Sequence, residues 1–330
     1  IAIERVNERF LNLHQINRPR PFTLQNTDSQ KRNNMNGSPF TFSEFVAGFW
    51  RMHNWQMSPA ERLNLIEHYL DLGVTTMDHA DIYGQYQCEA LFGEALALKP
   101  ALRQQMQLVS KCGIKPAFNC RPERYVNHYD TSKAHIIASV EQSLKSLKTD
   151  YIDLLLIHRP DPLMDADLVA DAFADLKQAG KVQHFGVSNF TNAQLSLLQS
   201  RLTEPLVTNQ LEISPLMMAS LHDGSLDLCQ ERRIRPMAWS CLGGGKIFDN
   251  SHPQAIRLQQ TLAVIADEIG AQDISQVIYA WVRMLPSRPV PIIGSGNIAR
   301  IKTAVAARTL TLDRQQWFSI WQASTGHSVP

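Results

Sequence analysis

The stretch YIDLLLIHRPDPLMDADLVADAFADLKQAGKVQHFGVSNF (151–190) decides the fold class. Its two apolar runs, LLLIH (154–158) and FGVSN (185–189), are almost continuously hydrophobic, which is typical of strands buried on both faces of a parallel sheet. The segment between them has helical periodicity over Val169–Gln178 and ends at Ala179-Gly180, a common helix stop. The stretch therefore predicts a strand–helix–strand unit of a parallel α/β fold.

The same alternation extends from about residue 43 to residue 330. The predicted strands are Phe45–Gly48, Thr75–Asp78, Gln107–Lys111, Ile152–His158, Val182–Ser188, Leu206–Gln210, Pro236–Ser240 and Val290–Gly294. The other predicted helices are Pro59–Leu72, Lys133–Leu147, Asn192–Gln199 and Ala255–Ile269. This pattern fits a closed (β/α)8 barrel or a doubly wound sheet. No Pro-, Gly- or Ser-rich linker divides residues 43–330, so we predict a single (β/α)8 TIM barrel with its active site at the C-terminal face.

Composition narrows the class of protein. The chain has a formal net charge of +1, so no basic excess indicates nucleic acid as a partner. Its five cysteines are odd in number and form no C-x-x-C pair, which argues against a disulfide framework or a zinc site and favours the reducing cytoplasm. No apolar run approaches the roughly 18 residues that a membrane helix needs, so no membrane partner is expected.

The first 42 residues are predicted to be an N-terminal extension to the barrel. Residues 1–34 are polar, rich in Asn and Arg and weakly periodic, and Met35 precedes the first convincing strand. We expect the extension to be partly disordered or not native, through a mis-called start or a trimmed leader. Mass spectrometry of the natively expressed N-terminus tests this, and retention of Ile1 would contradict a mis-called start.

Polar side chains recur where the predicted strands end. They are Asp78, Lys111, His158, Ser188, Asn189, Gln210, Trp239, Ser240 and Ser295. In a (β/α)8 barrel these ends meet at the face that carries the active site. A buried strand has no structural need of a charge at its end, so this recurrence indicates a functional site there.

Four residues of this region suit acid–base chemistry. Asp78 and Lys111 each end an apolar strand, and singly buried charges are costly, so the two are expected to pair. Tyr83 follows in the loop HADIYG (79–84), and a neighbouring Lys ammonium lowers the pKa of a phenol. We therefore expect Lys111 to make Tyr83 a general acid near neutral pH. His158 is expected to donate a hydrogen bond to a substrate oxygen.

Taken singly, each residue also has a structural interpretation, since a strand-end His or an Asp–Lys pair is more often structural than catalytic. Together they suit carbonyl reduction, in which hydride reaches carbon and a proton donor must meet the charge that builds on oxygen. No serine lies in a G-x-S-x-G elbow. His128, His135 and His184 lack metal-ligand spacing, so we predict no metal, and a barrel hydrolase or lyase is disfavoured.

Five motifs resemble those of the aldo-keto reductase superfamily in order and spacing: GVTTMDHADIYG (73–84), LVSKCG (108–113), LLLIHRPD (154–161), FGVSNF (185–190) and NQLEISP (209–215). The resemblance spans residues 43–330 and is closest to a bacterial branch of NADPH-dependent oxidoreductases. It implies that NADPH reduces an aldehyde or ketone. In that case Tyr83 is the general acid, Lys111 lowers its pKa, Asp78 orients Lys111 and His158 positions the carbonyl.

The resemblance also implies cofactor contacts across the barrel mouth. The residues implied are Ser188, Asn189, Gln210 and Trp239 for the nicotinamide, Ser240, Leu242, Gly243 and Lys246 for the pyrophosphate, and Gly294, Ser295, Asn297 and Arg300 for the adenosine 2′-phosphate. Gly48, Phe49 and Trp50 add contacts from the loop after the first strand, and the substrate would meet Trp50, Tyr83 and His158. Because a guanidinium pairs well with a phosphate, Arg300 favours NADPH over NADH.

Two departures from the family pattern weaken the expected cofactor contacts. Thr303 and Ala304 stand where many relatives carry acidic or amide residues near the adenine, and Phe49 stands where a small Thr is common. The substrate pocket would come from variable loops such as residues 112–130.

Two other interpretations were weighed against this one. Gly294, Gly296 and Ala299 in IIGSGNIARI (292–301) match the dinucleotide fingerprint G-x-G-x-x-A, but only about 31 residues follow, too few for half of a Rossmann sheet. An NADPH-binding redox sensor or regulatory subunit stays open, because some members of the superfamily, such as potassium-channel β-subunits, act mainly as regulatory partners. The intact catalytic positions favour an enzyme with a small-molecule carbonyl substrate, as a monomer or weak oligomer.

Overall fold

The computed structural model describes residues 40–330, so nearly all of the predicted extension (1–42) lies outside the described residues. The barrel strands are β1 (Val46–Gly48), β2 (Thr76–Asp78), β3 (Gln107–Cys112), β6 (Ile152–Ile157), β7 (Val182–Ser188), β8 (Asn209–Glu212), β9 (Met237–Trp239) and β10 (Val290–Ile293). They pair in parallel and close in the order β1-β10-β9-β8-β7-β6-β3-β2. A short antiparallel pair, β4 (Ile114–Lys115) and β5 (His128–Tyr129), follows β3. The predicted (β/α)8 barrel is confirmed and the doubly wound alternative is wrong.

Helices follow the barrel strands along the chain. In the described part of the chain they are α1 (Pro59–Asp71), α2 (Cys88–Leu96), α3 (Lys133–Leu147), α4 (Ala166–Gln178), α5 (Asn192–Gln199), α6 (Ser225–Glu231), α7 (Pro253–Ile269), α8 (Ile274–Arg283), α9 (Ile298–Ala306) and α10 (Arg314–Thr325). A capping box opens α1, since the Ser58 hydroxyl accepts from the Glu61 amide and the Glu61 carboxylate accepts from the Ser58 amide. No helix among residues 40–330 is long and apolar enough to cross a membrane.

One predicted strand is displaced along the sequence. Leu206–Gln210 was expected, whereas β8 covers Asn209–Glu212. The Val207 amide already donates to the Phe185 carbonyl of β7, but pairing with β9 starts only at Gln210. Leu206 and Val207 are buried, but they precede the point at which β8 pairs with strands on both sides.

The barrel interior is filled by side chains of the strands and of residues that precede them in the chain. This core cluster is made of Phe40, Phe42, Val46, Val109, Leu154, Leu156, Val207, Met237 and Val290. Phe40 and Phe42 stack edge to face with ring centroids 4.6 Å apart. Both precede residue 43, the predicted start of the barrel domain, so the packed domain includes residues ahead of that boundary. Because this interior is packed, only the end of the barrel is left for a ligand.

Candidate active site

The C-terminal ends of the strands surround a cavity of about 950 Å³, which is large enough for a cofactor or a drug-sized ligand. Predicted site residues that line it are Gly48, Trp50, Asp78, Tyr83, His158, Ser188, Asn189, Gln210, Trp239, Ser240, Leu242, Gly294, Ser295 and Arg300. The loops that supply them come from strands spread across the whole sequence. The structure thus brings together at one cavity most of the residues that the sequence singled out.

Lys111 lies fully buried behind the cavity wall and holds its charge through hydrogen bonds. Its Nζ donates to both carboxylate oxygens of Asp78 at 2.7 and 2.8 Å and to the His79 carbonyl at 2.7 Å. Nζ also donates to the Tyr83 hydroxyl at 3.0 Å. Burial alone would lower the pKa of Lys111, but Asp78 and Tyr83 outweigh it and the pKa is raised. Lys111 is therefore a permanent ammonium in contact with a phenol that borders the cavity.

The pKa of Tyr83 moves in the direction opposite to the expectation. Burial raises it, and this effect exceeds the lowering caused by the Lys111 charge, so the net pKa lies above its ordinary value. The charge of Lys111 can be inferred from the sequence, whereas the desolvation of the phenol depends on the packed structure. A raised pKa keeps Tyr83 protonated at neutral pH, which is the form that a proton donor needs.

His158 faces Tyr83 across the cavity, with ring centroids 5.7 Å apart in an edge-to-face arrangement. Burial, with the charges of Lys111 and Arg159, holds its pKa well below the ordinary range, so the ring is neutral. Its Nδ1 has no hydrogen-bond partner among residues 40–330. A neutral imidazole beside the phenol can hydrogen-bond a substrate oxygen without competing for the role of acid.

A chain of amide side chains continues the site away from Asp78. Gln210 Nε2 donates to Asp78 Oδ1 at 2.9 Å. Asn189 Nδ2 donates to Ser188 Oγ at 2.7 Å, and the Trp239 indole donates to Asn189 Oδ1 at 3.2 Å. Asn189 has a φ of 58°, in the left-handed region that non-glycine residues rarely adopt. Strain of this kind is concentrated at functional sites, where surrounding contacts hold it in place.

The far end of the cavity lies at the N-terminus of α9. Ser295 and Arg300 both line the cavity there, and helix N-termini present unpaired amides that favour anions. A Cβ built on Gly294 would meet no atom within 4 Å, so a ligand can approach the backbone at this point. This end of the cavity is suited to a phosphate group.

Four predicted cofactor residues do not line the cavity. The Phe49 side chain is fully buried and stacks on His79, with ring centroids 4.8 Å apart. Asn297 uses its side-chain oxygen to cap α9, accepting from the Arg300 amide at 3.1 Å. Gly243 packs against Leu216, and Lys246 is exposed. Core packing fixes the direction of the Phe49 side chain, so its ring does not line the cavity.

The cavity also contains residues that the sequence argument missed. Arg51 and Arg159 each directly follow a predicted site residue, Trp50 and His158, so a reading one residue further would have included them. Asp273, Ser275 and Tyr279 belong to the start of α8, and nothing local marks them as site residues. Within residues 40–330 no group of three or more His, Cys, Asp or Glu residues could hold a metal ion.

A barrel whose strand ends enclose such a cavity, with a lysine-bound tyrosine at its wall, belongs to the class of barrel oxidoreductases. The chain belongs to the aldo/keto reductase family, whose model matches residues 44–324. It is an NAD(P)H-dependent reductase, and its reaction partners are a nicotinamide cofactor and a small-molecule carbonyl compound.

Individual relatives agree with this assignment. The chain is 60% identical to oxidoreductase YdhF of Escherichia coli over 88% of its length and 96% of the relative's. It is 43% identical to a 6-dehydroglucose reductase of Agrobacterium fabrum, over 87% and 96%. Among solved structures, the thermostable aldo-keto reductase Tm1743 with the inhibitor epalrestat is similar, with a TM-score of 0.73, 25% identity and coverage of 87% and 97%.

Proposed function

We propose that the protein is an NADPH-dependent carbonyl reductase in which Tyr83 is the general acid. The observation that carries the proposal is the 3.0 Å hydrogen bond from the fully buried Lys111 ammonium to the Tyr83 hydroxyl at the cavity wall. No other described tyrosine donates or accepts such a bond with a buried cation at this cavity. The alternative, a redox sensor with little turnover, is kept as an outcome of the test below.

The residues present fit NADPH. The open space beside Gly294, together with Ser295 and Arg300 at the start of α9, suits the phosphate of the adenosine. Trp239 offers an aromatic face at the strand ends, and Ser188, Asn189 and Gln210 offer amide and hydroxyl groups for a carboxamide. Arg300 supplies the charge that favours the 2′-phosphate of NADPH over the hydroxyl of NADH.

The protein residues divide the work of reduction between them. Bound NADPH would supply a hydride to the carbonyl carbon. His158 holds the carbonyl oxygen beside Tyr83, and the Tyr83 Oη–H donates its proton to that oxygen as negative charge develops. Lys111 stabilises the resulting phenolate through its bond to Oη, and Asp78 holds Lys111 in position. The phenolate then recovers a proton from solvent.

The test is NADPH consumption by the purified protein over aldehydes, ketones and quinones, with 6-dehydroglucose included because it is the substrate named for two relatives. Tyr83→Phe keeps the ring and removes the acid. We expect its kcat to fall about 10²- to 10⁴-fold, the usual contribution of a general acid. The circular dichroism spectrum and the Kd for NADPH should stay close to those of the native protein.

The remaining outcomes distinguish the alternatives. Native protein that binds NADPH but turns over no member of the panel would favour the sensor. Equal turnover by Tyr83→Phe and native protein would show that another group is the acid. A Kd for NADH as low as that for NADPH would refute the proposed role of Arg300.

A further inference from the structure

Arg159 stands out among the low-exposure arginines of the barrel. It lines the cavity directly after His158 and is only partly exposed. Its guanidinium has no hydrogen bond or ion pair among residues 40–330. It makes a cation–π contact instead, with Cζ 5.7 Å from the centroid of the Trp239 ring. A cation–π contact holds the guanidinium in place without neutralising its charge.

Two buried arginines, Arg62 and Arg103, show what a structural guanidinium looks like here. Arg62 donates to the Met57 and Leu91 carbonyls and to Glu94. Arg103 donates to four different residues, one of them Asp153. Because the protein itself supplies three acceptors to Arg62 and four to Arg103, these two guanidinium groups stabilise the fold. Arg159 retains its five N–H donors, at the cost of partial desolvation.

The electrostatic surroundings of Arg159 favour an anion beside His158. Its charge helps to lower the pKa of His158, the preceding residue of the chain, and both residues line the cavity. Its charge also acts on the Glu212 carboxylate, whose pKa is raised overall because burial outweighs the lowering by Arg159 and Lys246. Glu212 forms no ion pair with Arg159 within 4 Å among the described residues, so the compensation is incomplete.

We propose that Arg159 binds an anionic group of the carbonyl substrate, a carboxylate or phosphate attached to the carbon chain beyond the reacting carbonyl. This inference rests on the proposed function, because it places the substrate carbonyl between Tyr83 and His158. The Arg159 guanidinium then donates to the carboxylate or phosphate of the substrate. The cavity partly excludes water, and charge-assisted hydrogen bonds are strong there. Arg300 and Arg51 lie in the same cavity, but Arg300 belongs to the proposed phosphate end, and Arg51 donates to the Gly244 carbonyl at 3.4 Å.

The test compares matched neutral and anionic substrates: butanal with succinic semialdehyde, benzaldehyde with 4-carboxybenzaldehyde, and glyceraldehyde with glyceraldehyde 3-phosphate. The measured quantity is the ratio of kcat/KM for the anionic member to that for the neutral one. In Arg159→Gln we expect this ratio to fall about ten- to hundredfold, the range for a hydrogen bond to a charged group. The pair with the largest fall tells whether carboxylate or phosphate is the preferred group.

Three further variants separate a direct contact from a general charge effect. Arg159→Lys keeps the charge and should restore most of the ratio. Glu212→Gln removes the opposing carboxylate and should raise the ratio of kcat/KM for the anionic substrate to that for the neutral one. Arg314→Gln removes the same charge from an exposed position on α10 and should leave it at the native value. An unchanged ratio in Arg159→Gln, or an equal fall in Arg314→Gln, would overturn the proposal.

A binding measurement makes the result independent of turnover. The Kd values of 4-carboxybenzyl alcohol and benzyl alcohol are measured by calorimetry with NADP⁺ present. Native protein should prefer the carboxylate and Arg159→Gln should lose that preference. If nothing is turned over but this preference is found, the proposed function fails and the anion site stands. If substrates are turned over but neither the kcat/KM ratio nor the Kd preference for the anionic compound depends on Arg159, the anion site fails and the proposed function stands.

Discussion

Two ion pairs of the same barrel, each with a buried cation, behave differently. At the C-terminal end, Lys111 bonds Asp78, and at the opposite end Arg103 bonds Asp153 at 2.6 Å. Arg103 directs its remaining donors to the Thr149 hydroxyl and to the Met106 and Tyr151 carbonyls. Lys111 instead directs one donor to the Tyr83 hydroxyl at a cavity.

The difference lies in what the cation bonds after its carboxylate. Carbonyls and a threonine hydroxyl do not titrate near neutral pH. The Arg103 pair can therefore only hold the N-terminal ends of β3 and β6 together. A phenol can give up a proton, so the Lys111 pair can take part in a reaction. Burial and distance alone therefore do not distinguish a structural ion pair from a catalytic one.

The largest expected effect comes from removing the cavity-side pair as a whole. The double variant Asp78→Asn with Lys111→Met leaves no single buried charge, so the fold should survive. Without the ammonium to stabilise the phenolate, kcat/KM should fall about thousandfold. Steady-state kinetics with circular dichroism measure both. Activity within tenfold of the native protein would remove the distinction drawn between the two pairs.

Arg103→Met should have its effect on stability. A buried carboxylate that loses its partner costs about 3–5 kcal/mol, and Asp153, which is partly exposed and would keep only the Leu108 amide as a donor, should lie at the low end, at about 3 kcal/mol. The free energy of unfolding from urea denaturation should fall by that amount, while kcat/KM of the folded protein stays unchanged. Arg314→Met, on an exposed position, is the control. A loss of activity without a loss of stability would contradict a purely structural pair.

Acid should destabilise the protein in part through His79. Burial, and to a smaller extent the Lys111 charge, lowers its pKa to about 3 in the folded state, whereas a histidine in the unfolded chain titrates near pH 6.5. The unfolded chain therefore takes up the proton first, and stability present above pH 6.5 is lost as pH falls toward 3. This loss amounts to about 3 kcal/mol between pH 7 and pH 4.

His79→Leu should remove this part of the pH dependence, because leucine has a similar volume and no titratable group. Urea denaturation of both proteins at pH 7 and pH 4 measures the difference. If the variant loses as much stability as the native protein over this range, His79 is not protonated on unfolding as described.

The smallest expected effect concerns a neutral hydrogen-bond partner of Arg103 in the Arg103–Asp153 pair. Thr149→Ala removes the hydroxyl that accepts from Arg103 Nε at 2.8 Å and leaves the other acceptors in place. The unfolding free energy should fall by about 1 kcal/mol, with unaltered kinetics. A loss as large as that of Arg103→Met would mean that Thr149, rather than Asp153, is the main partner.

Much of the site is visible in the sequence because its signals are local. An apolar run followed at once by Asp78, Lys111 or His158 indicates a buried strand that ends in a reactive group, and parallel strands bring such ends to one face. The parallel α/β class also follows from the repeated alternation of strand and helix, whereas closure into a barrel is shown by the pairing of β1 with β10. None of the inferences from the sequence requires knowledge of which distant segments are in contact.

Other properties depend on neighbours that lie far apart in the chain. The pKa of Tyr83 is raised because the packed structure removes water from the phenol, and the sequence shows only the nearby lysine. Phe49 follows a strand end but faces the core, since Tyr69, His79 and Phe92 surround it. Arg159 differs from Arg103 only in the acceptors that folding provides. Desolvation and hydrogen-bond saturation are properties of the whole environment of a group. The sequence alone therefore determined most of the groups that reach the cavity, and the tertiary structure decided the rest and which of them are able to act there.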